Sequence, residues 1–223
     1  MVTELTDGIY WFDLTGVNAY LVADPEELVL VDTGTRFDAG TIESGIVEAG
    51  FRLDALDRIL ITHYDVDHVG GLGTLAVDAP IHVGSPDDSL LTGSRKPLLS
   101  GLKSFTQRVS SPLIPAIDPR RVSVVADGER IGNFTATHTP GHTPGHTVYV
   151  HEELSAAFLG DAIIERNGSF RPTPWFLSSD VELAHESIRS FAETATFDVA
   201  AMGHGTPVTT GGSERLEALA AEL

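Results

Sequence analysis

Residues 62–71 read Thr-His-Tyr-Asp-Val-Asp-His-Val-Gly-Gly, directly after a short apolar run, 58–61, that we predict to be a buried strand. Four potential metal ligands fall within six residues of this stretch: His63, Asp65, Asp67 and His68. A charged loop of this kind can also serve only to cap the following helix. Two imidazoles and two carboxylates are costly to pack together, however, unless a cation lies between them. Because imidazole with carboxylate suits zinc, iron or manganese, the stretch predicts a metal site.

Three further fragments place a histidine or an aspartate at a turn or at the end of a predicted strand. His142 lies in a turn that proline and glycine fix on both sides, Asp161 follows the predicted strand 156–159, and His204 stands between two glycines after 198–202. Each fragment alone is weak evidence, because one histidine or aspartate at a strand end is usually a cap or a satisfied polar residue. All of the fragments together, in this order, are a specific signal.

Together the fragments resemble the metallo-β-lactamase fold superfamily over nearly the whole chain. The segments 18–22 (Asn-Ala-Tyr-Leu-Val) and 31–34 (Val-Asp-Thr-Gly) look like the opening motif of that family, and 63–68 looks like its metal-binding loop. The resemblance implies an α/β (α+β) fold, a four-layer αββα sandwich in one domain over residues 1–223. It also implies a metal site at one edge, between the two sheets.

The resemblance also implies the ligand sets. His63, Asp65 and His142 would hold the first metal ion, with Asp161 bridging to a second ion. The second ion would be held by Asp67, His68 and His204, and Asp32 would orient the ligand loop by hydrogen bonds.

Asp65 departs from the family pattern, which usually has a histidine at this place. A carboxylate still ligates, but it is a harder ligand and adds a negative charge. Two divalent ions with three carboxylates keep one net positive charge, so a bridging hydroxide makes the site neutral. Zinc is favoured, and manganese or iron are alternatives because oxygen-rich sites accept them.

The chemistry that these residues favour is hydrolysis of a small-molecule lactone, thioester, ester or phosphoester by the bridging hydroxide. The chain has no cysteine and no serine nucleophile motif, so water is the expected nucleophile. Asp67 and Asp161 are the expected catalytic carboxylates. Two alternatives stay open. One is a persulfide dioxygenase with a single iron on His63, His142 and Asp161, and the other is a non-catalytic, metal-stabilised binding module.

Composition restricts the class of protein further. Hydrophobic residues make up 42% of the 223 residues, enough for a core and too many for a disordered chain. The net charge of −18 opposes binding to nucleic acid and to anionic membranes. No basic region opens the chain, so we expect no export signal, no additional domain and a cytoplasmic protein. Scarce lysine beside abundant carboxylate favours adaptation to high salt over an ordinary acidic protein. The oligomeric state stays open.

The segment 89–117 differs from the rest because it contains no acidic residue. Four basic residues lie in it, Arg95, Lys96, Lys103 and Arg108, and apolar residues recur at helical spacing at 98, 102, 105 and 109. One interpretation is a covering helix whose cations pair with acids elsewhere. The other is a lid or rim that attracts an anionic substrate.

Overall fold

The computed structural model describes residues 2–97 and 101–223. Seven strands form the first sheet, in the order of the chain: β1 Val2–Thr6, β2 Ile9–Asp13, β3 Asn18–Ala23, β4 Leu28–Val31, β5 Arg58–Ile61, β6 Ile81–Gly84 and β7 Val122–Val125. Strands β1 to β4 pair antiparallel and β4 to β7 pair parallel. The parallel half brings the carboxyl ends of β4, β5 and β6 to one edge of the sheet.

Seven more strands follow: β8 Arg130–Ile131, β9 Phe134–His138, β10 Thr147–His151, β11 Ala156–Gly160, β12 Ile163–Arg166, β13 Ser169–Pro172 and β14 Val199–Met202. Five of them form the second sheet in the order β14-β11-β10-β9-β8, and β12 with β13 form a separate ribbon. Strand β14 pairs parallel to β11, so both end at the same edge. That edge faces the corresponding edge of the first sheet.

The helices are α1 Ala39–Glu48, α2 Val66–Val69, α3 Asp87–Leu91, α4 Gly101–Ser110, α5 Val181–Thr194 and α6 Gly212–Ala220. Helix α1 packs on the outer face of the first sheet, and α5 and α6 pack on the outer face of the second. Among the residues described, no helix is long and apolar enough to cross a membrane.

Strand β4 shows why two sheets and two helical layers form. Leu28 and Leu30 pack in the outer core with α1, while Val29 and Val31 pack in the core between the sheets. A strand that is apolar at every position is buried on both faces, because successive side chains point to opposite sides. Strands β11 and β14 alternate in the same way toward α5 and α6. The four-layer αββα arrangement expected from the sequence is confirmed.

The sequence pattern predicts helix caps at Asp180 and Ser213, and it does not predict strands β1, β7 and β8 or the ribbon β12–β13, which are short or lack strict alternation. Asp180 caps α5 by accepting from the Leu183 amide. Ser213 does not cap α6, which begins at Gly212. Its hydroxyl instead donates to the Phe197 carbonyl and accepts from the Phe197 amide.

Asp24, in the turn between β3 and β4, ties the first sheet to the second. One carboxylate oxygen lies 2.9 Å from Nε2 of the buried His151 and accepts from the Asn133 amide at 3.0 Å. The other accepts from the backbone amides of Glu26 and Glu27. Burial alone raises the pKa of Asp24, but these hydrogen bonds outweigh it and lower the pKa from 3.8 to about 2.

We expect Asp24→Ala to lower the free energy of unfolding by about 2–3 kcal/mol at pH 7, because it leaves His151 and three amides without their acceptor. The folded pKa lies below the unfolded one. The charged contribution is therefore complete above about pH 4 and is lost as the pH falls toward about 2. Urea denaturation of both proteins at pH 7 and pH 3 measures this, and the difference is expected to shrink at pH 3.

The matched control is Asp54→Ala, which removes an exposed ion pair with Arg52 and is expected to leave the free energy of unfolding nearly unchanged, because water screens this pair. Equal losses in the two variants would contradict the role given to Asp24.

Candidate metal centre

Two groups of side chains meet where the edges of the two sheets face each other. In each group, one ligand atom per residue lies within 4.8 Å of the others. The first group is His63, His142 and Asp161, and the second is Asp67, His68 and His204. These six residues come from four separate segments, namely the loop after β5, the turn between β9 and β10, and the ends of β11 and β14.

Asp161 lies between the two groups. Its Oδ1 is 3.4 Å from Nε2 of His68, and its Oδ2 is 3.6 Å from Nε2 of His142 and 3.2 Å from Nε2 of His204. Asp67 Oδ2 closes the second group at 3.5 Å from Nε2 of His204. One carboxylate therefore faces nitrogen atoms of both groups, the arrangement that a bridging ligand requires.

The alternation of ligands at 63, 65 and 67 predicts an extended loop after β5, but only part of the loop is extended. Asp65 has extended backbone, but α2 begins at the next residue, so Asp67 and His68 lie on a helical turn. The turn brings ligand atoms of Asp67 and His68 within 4.8 Å of one of His204, while the rings of His63 and His68 stay side by side with their centroids 4.1 Å apart. A helix start inside the loop is thus what divides its ligands between two groups.

Asp32, which directly follows β4, orients the loop after β5. Its backbone is left-handed (φ 57°), a conformation that aspartate tolerates better than most residues. Its carboxylate accepts from the Thr62 amide at 2.9 Å and the Thr62 hydroxyl at 2.7 Å, and it lies 2.8 Å from Nδ1 of His68. The bond to Nδ1 leaves Nε2 of His68 facing the site. The Thr62 hydroxyl also lies 3.0 Å from Nδ1 of His63, which leaves that ring's Nε2 facing inward too.

Two further contacts fix the remaining parts of the site. The Gly16 carbonyl lies 2.6 Å from Nδ1 of His204, so Nε2 of that ring faces Asp161. His146 accepts from the Asp161 amide at 3.1 Å through Nε2, while its Nδ1 lies 2.7 Å from the Thr139 hydroxyl. Burial, followed by the nearby His142, lowers the pKa of His146 to about 3, so the ring stays neutral and keeps this acceptor.

Glycine is required at 203 because of a close approach. A Cβ at this position would collide with the Asp161 carboxylate and with the His68 ring. The small residue before His204 thus allows β11 and β14 to bring their terminal side chains together.

The electrostatics of the site favour a cation. Burial disfavours charge on His68, but Asp161 and Asp32 outweigh it and raise the pKa of His68 well above its usual value. Burial likewise opposes ionisation of Asp161, and His68 and His204 outweigh it and hold the pKa of Asp161 well below its usual range. Among the described residues, His68 Nε2 and Asp161 Oδ1 are buried without a hydrogen-bond partner. A divalent ion between these two atoms would satisfy both.

Asp65 belongs to neither group within the described part of the chain. Its Oδ2 lies 3.3 Å from Nε2 of His63 and 3.2 Å from Nε2 of His142, but it also contacts the Lys103 ammonium of α4. Its Oδ1 accepts from the Gln107 amide at 3.0 Å. The carboxylate that replaces the family's histidine is thus paired with α4.

The two interpretations of segment 89–117 did not specify which face of α4 is buried. The apolar residues at helical spacing, Leu102, Phe105 and Val109, are more than half exposed, whereas Lys103 and Gln107 are buried. Leu98, the first member of that spacing, lies outside the described residues. The pairing of Lys103 with Asp65 agrees with the covering-helix interpretation, and Gln107 was missed. The spacing of 103 and 107 was the available signal, because residues four apart share one face of a helix.

The model of the metallo-beta-lactamase superfamily matches residues 12–204, most of the chain. The chain belongs to this superfamily. The uncharacterized protein YobT of Bacillus subtilis is 31% identical over 85% of this chain and 83% of that protein. The probable metallo-hydrolase YflN of the same organism is 27% identical over 92% of this chain and 87% of that protein.

A third relative is the atrochrysone carboxyl ACP thioesterase dmxR1 of Cryptosporiopsis sp., which is 28% identical. The match covers 69% of this chain but 40% of that protein, so it compares a shared domain and not two whole proteins.

Solved structures of the superfamily share the fold. BJP-1, a subclass B3 metallo-beta-lactamase of Bradyrhizobium japonicum, superposes with a TM-score of 0.72 at 22% identity, over all of this chain and 90% of that one. TTHA1623, solved in a di-iron-bound form, has a TM-score of 0.67 at 27% identity over 90% of this chain and 93% of that one. Superfamily membership supports a metal-binding hydrolase.

Because Asp32 fixes the ring of His68, we expect Asp32→Asn to weaken metal binding at the second group about 10–100-fold. Asparagine tolerates the left-handed backbone but lacks the charge that holds Nδ1–H of His68. Competition with a chromophoric chelator measures the affinity. Asp57→Asn is the control, since the Asp57 side chain accepts from the Leu28 amide, away from the site. Equal affinities in wild type and Asp32→Asn would show that Asp32 does not orient His68.

Proposed function

We propose that this chain is a metal-dependent hydrolase that holds two divalent ions and cleaves a small-molecule thioester, ester or lactone with an apolar acyl group. The observation that carries the proposal is Asp161, whose two oxygens face the two groups of ligand atoms. Zinc is favoured by the histidine-rich donor set, and manganese or iron are the alternatives.

The residues present fit two such ions. His63, His142 and Asp161 would hold one, and Asp67, His68 and His204 with Asp161 would hold the other. When bound, the ions supply a water molecule with a pKa lowered toward neutrality and a Lewis acid for the carbonyl oxygen. The protein's own part is to direct three imidazole Nε2 atoms at the site, through the partners of Nδ1 described for His63, His68 and His204.

Asp67 is the carboxylate placed to move a proton. One third of its side chain is exposed, and it lines the same cleft as His142, Asp161 and His204. Oδ2 of Asp67 lies in the second ligand group, and the other carboxylate oxygen of Asp67 can accept a proton from the attacking water and return it to the leaving oxygen or sulfur. Asp161, which is almost fully buried, has instead the position of a ligand and a fixed negative charge.

Apolar side chains around the cleft favour an acyl substrate over a phosphoester. Leu177 lines the cleft, and the turn Trp175–Leu177 contacts α4. Trp175, in the same turn as Leu177, is 72% exposed. An exposed apolar surface next to a reactive site indicates a ligand that covers it. The thioesterase activity named for the fungal relative agrees with this substrate class.

The expectation of an anionic substrate depends on three of the four basic residues. Lys103 pairs with Asp65, as the covering-helix interpretation has it. Arg95, Lys96 and Arg108 line a separate cleft with Tyr64, on the other side of α4 from the ligand groups. An acidic part of the substrate would therefore lie away from the bond that is cleaved.

A mononuclear iron oxidoreductase is the second candidate. Its support is the first group, because two histidines and one carboxylate are the ligands of many non-haem iron oxygenases. The second group, complete and equally close, favours the dinuclear hydrolase over it. A non-catalytic binding module is the third possibility, and it is the expected conclusion if no hydrolysable probe reacts.

The proposal predicts about two equivalents of zinc or manganese per chain by elemental mass spectrometry, on protein purified without chelator. It also predicts hydrolysis of acyl thioesters or lactones that stops on dialysis against a chelator and returns on addition of metal. One equivalent of iron with oxygen uptake in the presence of a persulfide would replace the hydrolase with the oxidoreductase.

Asp161→Ala is expected to lower kcat by at least about 10³-fold and to lose at least one metal equivalent, because the residue faces both groups. Circular dichroism and metal analysis distinguish this from unfolding. Full activity and full metal content in this variant would show that the site is assigned wrongly.

Leu177→Ser is expected to lower kcat/KM for a long acyl thioester about 5-fold, which is about 1 kcal/mol of lost apolar contact, because Leu177 lines the cleft. The value for an acetyl thioester is expected to stay the same. Val47→Ser on α1 is the control, because Val47 is an exposed apolar residue on the outer layer. An equal decrease in kcat/KM for both substrates would show that the apolar surface around the cleft does not select the length of the acyl group.

A further inference from the structure

Helix α4 is attached to the metal-binding loop by polar contacts. Lys103 and Gln107 lie one turn apart, on the face that is turned to the loop, and are 4% and 5% exposed. Lys103 contacts Asp65 Oδ2, while the Gln107 side-chain amide donates to Asp65 Oδ1 at 3.0 Å and to the Tyr64 carbonyl at 2.7 Å. Both oxygens of Asp65 are therefore engaged by the same helix.

The apolar residues of α4 do not replace these contacts. Leu102, Phe105 and Val109 are 53%, 53% and 62% exposed, so the helix buries little apolar surface of its own through them. A surface helix is normally held by its apolar face. Here the buried ion pair and two hydrogen bonds from one glutamine take that place, and hydrogen bonds to a charged group are stronger than neutral ones.

The same contacts occupy both oxygens of Asp65, so that neither is free to bind a metal ion. Nζ of Lys103 lies 2.8 Å from Nε2 of His142, the nitrogen that also faces Asp161. The ammonium thus contacts both Asp65 and the first group. By contrast, Asp161 keeps a buried oxygen without a hydrogen-bond partner among the described residues. Of the two carboxylates near His142, Asp161 is the one with a free oxygen.

We propose that Asp65 is a positioning residue, the anchor that holds α4 over the site through Lys103 and Gln107. In this arrangement the first metal ion has three protein ligands: His63, His142 and Asp161. Asp65 stands where the family has a metal-binding histidine, but in this chain it holds α4 over the cleft instead of binding the metal ion. With the Lys103 cation beside it, Asp65 adds no net charge, so two unpaired carboxylates, Asp67 and Asp161, face the ions.

This inference rests on the proposed function for its metal half only. The test compares wild type, Asp65→Ala, Lys103→Met and His142→Ala for metal per chain and for amide hydrogen exchange of peptides within 101–110. Lys96→Met is the matched control, because Lys96 is the only other lysine of the chain and is exposed.

Asp65→Ala is expected to keep the wild-type number of metal ions, whereas His142→Ala loses one. In both Asp65→Ala and Lys103→Met, exchange within 101–110 is expected to be at least about 10-fold faster than in wild type and Lys96→Met, because the helix opens more often. Lys103→Met is also expected to bind the first ion more tightly, since the competing contact to His142 is gone.

Loss of one metal equivalent in Asp65→Ala, to the level of His142→Ala, would overturn the three-ligand site and make Asp65 a ligand. Unchanged exchange in Lys103→Met and Asp65→Ala would overturn the anchor. If wild type binds no metal, the proposed function fails, and the exchange comparison on the same proteins still decides the anchor.

Discussion

The hydrogen bonds of Asp32 are the interaction on which the rest of the site depends. Its carboxylate joins the end of β4 to the loop after β5 through Thr62 and His68. Parallel pairing of β4 and β5 places Asp32 beneath that loop, and the left-handed backbone turns the side chain into it. Because this network orients the rings of His63 and His68, the geometry of both ligand groups depends on one buried carboxylate.

Burying so many ionisable groups at one edge is unfavourable unless their charges are balanced. The protein balances them in two ways. At Asp161 and His68, unpartnered atoms face one another and make a place where a cation is stabilised. At Asp65, the balancing charge is supplied by Lys103 of the chain itself. A bound cation at Asp161 and the Lys103 ammonium at Asp65 would thus each compensate the charge of a buried carboxylate in the same site.

The orientation of α4 follows from this. A helix with a clear apolar stripe would be expected to bury it, yet here Lys103 and Gln107 are buried and the apolar stripe is exposed. The buried ion pair with Asp65 accounts for this orientation. The side chains of α4 that line the cleft are therefore polar ones: Lys103, Thr106, Gln107 and Ser110.

The sequence by itself determined the fold class and the identity of the chemistry-bearing residues. The apolar runs of β4, β5 and β11, each followed by a polar residue, are local signals, and the order of the fragments is specific to one superfamily. Only the tertiary structure decided how His63, Asp67 and their partners divide into two groups, because that depends on α2 starting inside the loop and on β11 lying beside β14. The pairing of Asp65 with Lys103 was likewise beyond the sequence. The two residues are 38 positions apart, and no periodic pattern records which face of a helix meets a charge from another loop.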